Sequence, residues 1–296
     1  TRGFAPPYLK DDNGNETDLS AYYCGANRNK RSITINLSEK EGQDIIRKLL
    51  KNSDILVENF KTGTLAKYGL SYDDLKNEFP RLIFCSITGF GQTGPYASRP
   101  GYDGLIQAMG GVMALTGEPN GEPTKVGVPI GDLMAGMFAS VGVLAAVRHQ
   151  TETGKGQFID IGMLDTHVAW LANQGMNYLS TDENPERLGN QHPNIVPYQV
   201  MPTSDGYIVL SIGNDPTFER FCELAGETKL LEDDRFKTNA SRVSNREHVT
   251  KVLNEVTKRK TSNEWLSELE KAKIGCGPIN TVSYTHLRAH ETRRYR

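Results

Sequence analysis

Apolar and polar residues alternate through "RSITINL" (31–37), a β-branched run, and the pattern predicts a strand. In the next stretch, "SEKEGQDIIRKLLKNS", the period becomes helical. Ile45, Ile46, Leu49 and Leu50 fall on one face, and Ser38 with Glu41 fits a capping box. "DILVENF" (54–60) predicts a second strand, so the segment reads as strand–helix–strand, the seed of a parallel sheet. "SYDDLKNEF" followed by "RLIFCSI" (81–87) repeats the alternation, and 30–88 reads as α/β.

Residues 88–131 are dense in Gly and Pro and predict loops. An apolar helix follows over about 133–150, then a strand at "QFIDIGM" and a helix from about 166 to 180. "ENPERLGNQHPNIVPY" (183–198) is polar and broken by Pro and Gly, hence a linker or loop. "YQVMPTSDGYIVLSI" predicts a hairpin turning at Asp205-Gly206. Helices at 215–225, 245–259 and 262–271 complete a smaller α+β unit.

At 296 residues the chain can hold one large domain or two modest ones. A net charge of −2 argues against a nucleic-acid surface. No run of about 18 uninterrupted apolar residues occurs, so no membrane span is expected. Cys24, Cys85, Cys222 and Cys276 form no C-x-x-C pair, which predicts reduced thiols in a cytoplasmic protein, or a mitochondrial one in a eukaryote. The end "SYTHLRAHETRRYR" carries Arg288, Arg293, Arg294 and Arg296 without apolar periodicity. It reads as a non-native tail over 283–296.

"GFGQTG" (89–94) matches G-x-G-x-x-G after a strand, but Pro95 and a loop-like run replace the helix that dinucleotide binding needs. His149, His167, His192 and His248 lack metal-ligand spacing, and no G-x-S-x-G elbow occurs. No metal site is expected. Two acids stand out. Asp132 in "VGVPIGDLMAGMFASVGVL" and Asp165 in "GQFIDIGMLDTHVAW" both head apolar helices, and N-capping alone explains each. The helix behind Asp132 carries no charge until Arg148, so burial on nearly all sides is expected. Ala135, Gly136, Ala139 and Ser140 would admit a close backbone.

Several stretches together, "NRNKRSITINL", "SDILVENF…GTLAKYGL", "PRLIFCSITGFGQTGPY", "RPGYDGLIQAMGG", "GDLMAGMFA", "TGKGQFIDIGMLD" and "GPINTV", resemble the class III CoA-transferases. Formyl-CoA and carnitine CoA-transferases belong there. "CSITGFGQTGP" and "GPIN" also resemble succinyl-CoA:glutarate CoA-transferase. The likeness spans about 20–282, and the ordered set is far more specific than any one motif.

The resemblance implies a Rossmann-like large domain over 1–182 whose N-terminal part is missing. A linker with the active-site loop (183–197), a small domain (198–282) and the tail would follow. The chain would be an incomplete fragment of a fold in which two chains interlock as a homodimer. The implied activity moves CoA from an acyl-CoA to a carboxylic acid through an aspartyl mixed anhydride and an aspartyl-CoA thioester, with no cofactor beyond the substrate CoA. Acyl-CoA and small carboxylic acids are the implied partners.

By the same likeness the nucleophile maps to Asp132, with Asp103 and Tyr102 beside it, while Asp165 keeps its capping reading. CoA contacts map to Asn59, Phe60, Lys67 and Ile35, with Arg99 substituting for a basic residue expected where Pro100 and Gly101 stand. Gly189, Asn190 and His192 fall in the mobile loop, which has fewer glycines than that of formyl-CoA transferase. Two rivals are a racemase of the same superfold and a non-catalytic CoA-binding relic. In the racemase the histidine position would hold Tyr102, a phenol of pKa ~10 and a poor proton shuttle at pH 7.

Overall fold

The computed structural model describes residues 2–287; the arginines from Arg288 onward in the expected tail lie outside the described residues. The chain runs β1 (Tyr8–Lys10), β2 (Glu16–Ser20), α1 (Ala21–Asn27), α2 (Lys40–Leu50), β3 (Ile55–Glu58), α3 (Tyr72–Leu75), β4 (Ile83–Thr88). It continues with α4 (Asp103–Met109), α5 (Val112–Leu115), α6 (Ile130–Thr153), β5 (Phe158–Gly162), α7 (Met163–Val168), α8 (Ala172–Thr181), β6 (Tyr198–Pro202), β7 (Tyr207–Ser211). Then come α9 (Asp215–Ala225), α10 (Asp234–Lys237), α11 (Asn239–Ser244), α12 (Arg246–Thr257), α13 (Ser262–Lys271), β8 (Gly275–Pro278) and α14 (Val282–Leu287). The fold is mixed α/β.

Two compact units share the chain. The first joins the residues up to Ser86 to Gly142–Ile159; the second joins Ile87–Val141 to the chain from Asp160 onward. The division expected at 183–197 falls inside the second unit.

In the first unit β3 and β4 pair in parallel, Ile55 opposite Ile83 through Glu58 opposite Ser86, in a sheet of order β3-β4-β5. Leu50, Leu70, Leu75, Leu82 and Phe84 form its core, and Tyr72 stacks on Phe158. The strand expected at 31–37 is absent: residues 31–36 are irregular and Ile33 is exposed. A β-branched run becomes a strand only with a ladder partner, and none lies beside it among the described residues. The Ser38–Glu41 capping box does not form either. α2 starts at Lys40 behind Glu39, with no side-chain cap. Ile46 and Leu50 turn inward, while Ile45 and Leu49 are exposed.

The second unit has two cores. One, Phe90, Ile106, Ala135 and Met163, lies where α4, α6 and α7 meet. The other lies beneath the antiparallel sheet β6-β7-β8, where Met201, Ile208 and Leu210 meet Phe218, Phe221, Val249, Leu253, Trp265 and Leu269 from the helices. The hairpin turns at Asp205-Gly206 as its sequence predicts, closed by the Thr203 N–H donating to the Gly206 carbonyl at 2.9 Å. The helix expected over 166–180 is broken: residues 169–171 form a 3-10 turn, and Ala172, the first residue of α8, adopts φ 45°. No Gly or Pro marks that break.

α6 departs most from expectation. It covers 24 residues, and by length and apolar composition alone it would suffice to cross a membrane. Gly and Ser lower helix hydropathy little, and the helix runs beyond both expected ends. Ala135, Ala139, Ala146 and Gln150 are nevertheless buried against protein. Burial on nearly all sides does not occur. Leu133, Met137, Phe138, Val141 and Leu144 are exposed, because the small residues seat only one side of the helix.

Candidate active site

The loop glycines place the acids. A Cβ on Gly101 would sit 2.2 Å from the Gly89 Cα, so "GFGQTG" and "RPGYDG" cross backbone to backbone. "GFGQTG" is a loop, as read. The Gln92 N–H donates to Asp160 Oδ2 at 2.8 Å, which ties that loop to β5. The crossing delivers Tyr102 and Asp103 to the start of α4.

Asp103 accepts the Gly131 N–H on Oδ1 at 2.8 Å and the Gln107 Nε2–H on Oδ2 at 2.8 Å. Gln107, fully buried, accepts the Val126 N–H at 2.8 Å and so fixes the approach to α6. Asp103, not Asp132, therefore satisfies a free N–H at the start of α6. A Cβ on Gly131 would stand 3.1 Å from Asp103 Oδ1, so the glycine of "GD" lets that carboxylate in.

Asp132 lies within the first turn of α6 rather than at its cap, which corrects the capping reading. Among the described residues no hydrogen bond or ion pair holds its carboxylate. Asp132 is exposed, yet partial desolvation at the crowded helix start, and then the negative charge of Asp103, push its pKa above the ordinary carboxylate value. Two carboxylates thus share one helix start, one held by donors and one unheld. Asp165 also lies within a first turn, that of α7, behind Gly162, and its capping reading fails too.

Tyr102 is 73% exposed. Arg99 lies over the Tyr96 ring at 4.7 Å and the Phe90 ring at 5.8 Å, so it is engaged with aromatic faces. His167 is fully buried, and both ring nitrogens lack a hydrogen-bond partner among the described residues. Burial lowers its pKa, and Asp103 partly opposes this.

The loop carrying Gly189, Asn190 and His192 is held within the second unit. The Gly189 N–H donates to the Gly117 carbonyl at 3.0 Å, and Arg187 Nη2 to that of Gly121 at 2.8 Å. Arg246 donates to the carbonyls of His192 (2.9 Å) and Pro193 (2.6 Å), and His192 stacks on Tyr198.

The expected CoA contacts Asn59, Phe60, Lys67 and Ile35 lie in the first unit. Asn59 and Phe60 follow the end of β3 and are exposed, Lys67 is exposed on a 3-10 turn, and Ile35 is half-buried. Sequence reasoning missed Gln107, Asp160, Glu58 and Arg246. Only Gln107 had a local signal, its i+4 spacing from Asp103 on a helix.

The chain belongs to CoA-transferase family III, whose family model matches residues 2–295, and so to a class of CoA-transferring enzymes. It is 44% identical to the succinate–glutarate CoA-transferase of Agrobacterium fabrum over 95% of this chain and 70% of that protein. It is 39% identical to the human succinyl-CoA:glutarate CoA-transferase, of which it spans 63%. A crystal structure of a CAIB/BAIF family protein from Brucella suis superposes with TM-score 0.84 at 45% identity, covering all of this chain and 76% of the other.

Proposed function

We propose that the protein transfers CoA from an acyl-CoA to a small carboxylic acid, with Asp132 as the nucleophile. The observation that carries this reading is the unheld Asp132 carboxylate beside the anchored Asp103. The names of the two relatives favour dicarboxylates such as succinate and glutarate as the exchanged acids.

The Asp132 carboxylate attacks the thioester carbonyl, giving an aspartyl–acyl anhydride and expelling CoA thiolate. The thiolate attacks the aspartyl carbonyl, forming an aspartyl-CoA thioester and releasing the donor acid. The acceptor carboxylate attacks that thioester, again expelling CoA thiolate. The thiolate takes the new acyl group and frees Asp132. Every intermediate stays activated, so water must be kept out, a task that suits the 183–197 loop. N–H groups at the start of α6 would steady the oxyanion. No step calls for a metal or redox cofactor.

Asn59, Phe60, Lys67 and Ile35 bind CoA in this reading, and the parallel β3–β4 pair belongs to a Rossmann-like sheet. The exposed apolar face of α6 is covered by a second copy in an interlocked homodimer. The racemase reading finds less support, because Tyr102 stands where its histidine would be and His167 is too deeply buried to reach an α-carbon. Incubation with succinyl-CoA and glutarate should yield glutaryl-CoA and succinate, and Asp132→Asn should abolish the exchange. Solvent-hydrogen exchange at an acyl α-carbon without CoA transfer would support the racemase instead.

A further inference from the structure

The end of β3 carries a carboxylate that the mechanism does not use. Glu58 pairs with Ser86 in the β3–β4 register, so both side chains lie on one face of the sheet. One oxygen of Glu58, Oε1, accepts the Ser86 hydroxyl; the other, Oε2, accepts the Phe60 N–H at 2.7 Å. Ser86 is buried, while Asn59 and Phe60 are exposed. The carboxylate thus straps an exposed two-residue turn to a buried strand. β3 lies at one side of the described sheet, so no further strand there fixes where the backbone goes after residue 58.

A cavity of about 150 Å³ borders the same turn, lined by Leu37, Leu56, Val57 and Phe60, with Glu58 the charged residue in its wall. Both oxygens take hydrogens from the protein, one from the Ser86 hydroxyl and one from the Phe60 N–H, so Glu58 is engaged with the fold. A hydrogen bond to a carboxylate is stronger than a neutral one, which suits a group whose task is to hold a turn.

We infer that Glu58 is a positioning residue: by bridging the Ser86 hydroxyl and the Phe60 N–H it sets the turn that presents Asn59 and Phe60 to CoA. The inference rests on the reading that these two residues contact CoA. It attributes the effect of Glu58 to reach and acceptor geometry, not to charge. Glutamine keeps the reach, with Oε1 accepting the Phe60 N–H and Nε2 donating to Ser86 Oγ. Aspartate keeps the charge but is one methylene short of bridging both partners.

The test compares acyl-CoA KM and kcat for wild type, Glu58→Gln, Glu58→Asp, Ser86→Ala and Phe60→Ala in the full chain. Glu58→Asp should raise KM about tenfold with kcat little changed, the cost of misplacing a binding group. Ser86→Ala should raise it less, and Glu58→Gln should stay near wild type. If Asp behaves as wild type and Gln does not, charge is what matters and the inference is overturned. A normal KM for every Glu58 and Ser86 variant beside a raised one for Phe60→Ala also overturns it, while leaving the CoA site standing. A normal KM for Phe60→Ala removes the CoA-site reading, and the inference with it. If Glu58→Asp does not fold, the contrast between Ser86→Ala and Glu58→Gln makes the same decision.

Discussion

Asp132 and Asp103 are separated in role by their surroundings. Asp103 takes two donors, whereas Asp132, though exposed, takes none and has its pKa raised by partial desolvation and by the Asp103 charge. An acid with a raised pKa is a nucleophile only above that pKa, so activity should rise with pH through it. Asp103→Asn removes the repelling charge and keeps an oxygen for the Gly131 N–H. The acidic limb of its kcat/KM profile should therefore move to lower pH; an unmoved or raised limb would refute the coupling. His167 makes the opposite case. Its folded pKa lies below the ordinary 6.5, so the stability tied to its neutral form is present above 6.5 and is lost as pH falls through the folded value. His167→Leu gives up no hydrogen bond. The variant should melt at or above the wild-type temperature at pH 7 and lose less stability toward pH 5, read by thermal unfolding across that range. A large drop at pH 7 would show that the imidazole has a partner.

Among the elements, α6 and the two loops before it were legible to different degrees. The helix shows in its apolar run, but its start does not. The Asp103 carboxylate that meets Gly131 lies 28 positions away, and local capping rules assign the role to Asp132 instead. "GFGQTG" shows as a loop, while the reason for its first glycine, the Gly101 backbone, is visible only in three dimensions. Gly101→Ala must force the two loops apart and displace Tyr102 and Asp103. A loss of transfer rate of about a hundredfold is expected, with little change in far-UV dichroism. Near-normal turnover would mean that the crossing does not place the site.

For the whole molecule, β6, β7, α9, α12 and α13 follow their hydrophobic periods closely, because each buries one face against a single core. The 31–37 run fails for the complementary reason: strand propensity without a partner strand is not realised. Interleaving of the two units is invisible locally, since β4, α6 and β5 each pass from one unit to the other with no break in pattern. The periodic reading also misses the polar tie in the 198–278 core. Arg242, fully buried, pairs with Asp215 at 2.8 Å and donates to the carbonyls of Val196 and Phe236. Arg242→Ala strands two carbonyls at about 1–3 kcal/mol each and should lower the urea midpoint accordingly. An unchanged midpoint would show that water replaces the guanidinium.

The central claim is that Asp132 becomes covalently linked to CoA. Intact-protein mass spectrometry after brief incubation with succinyl-CoA, followed by peptide mapping, tests it directly. The account predicts a CoA thioester on the peptide containing Asp132, absent in Asp132→Ala and retained in Asp165→Ala. An adduct that survives Asp132→Ala, or one that maps to Asp165, would contradict it.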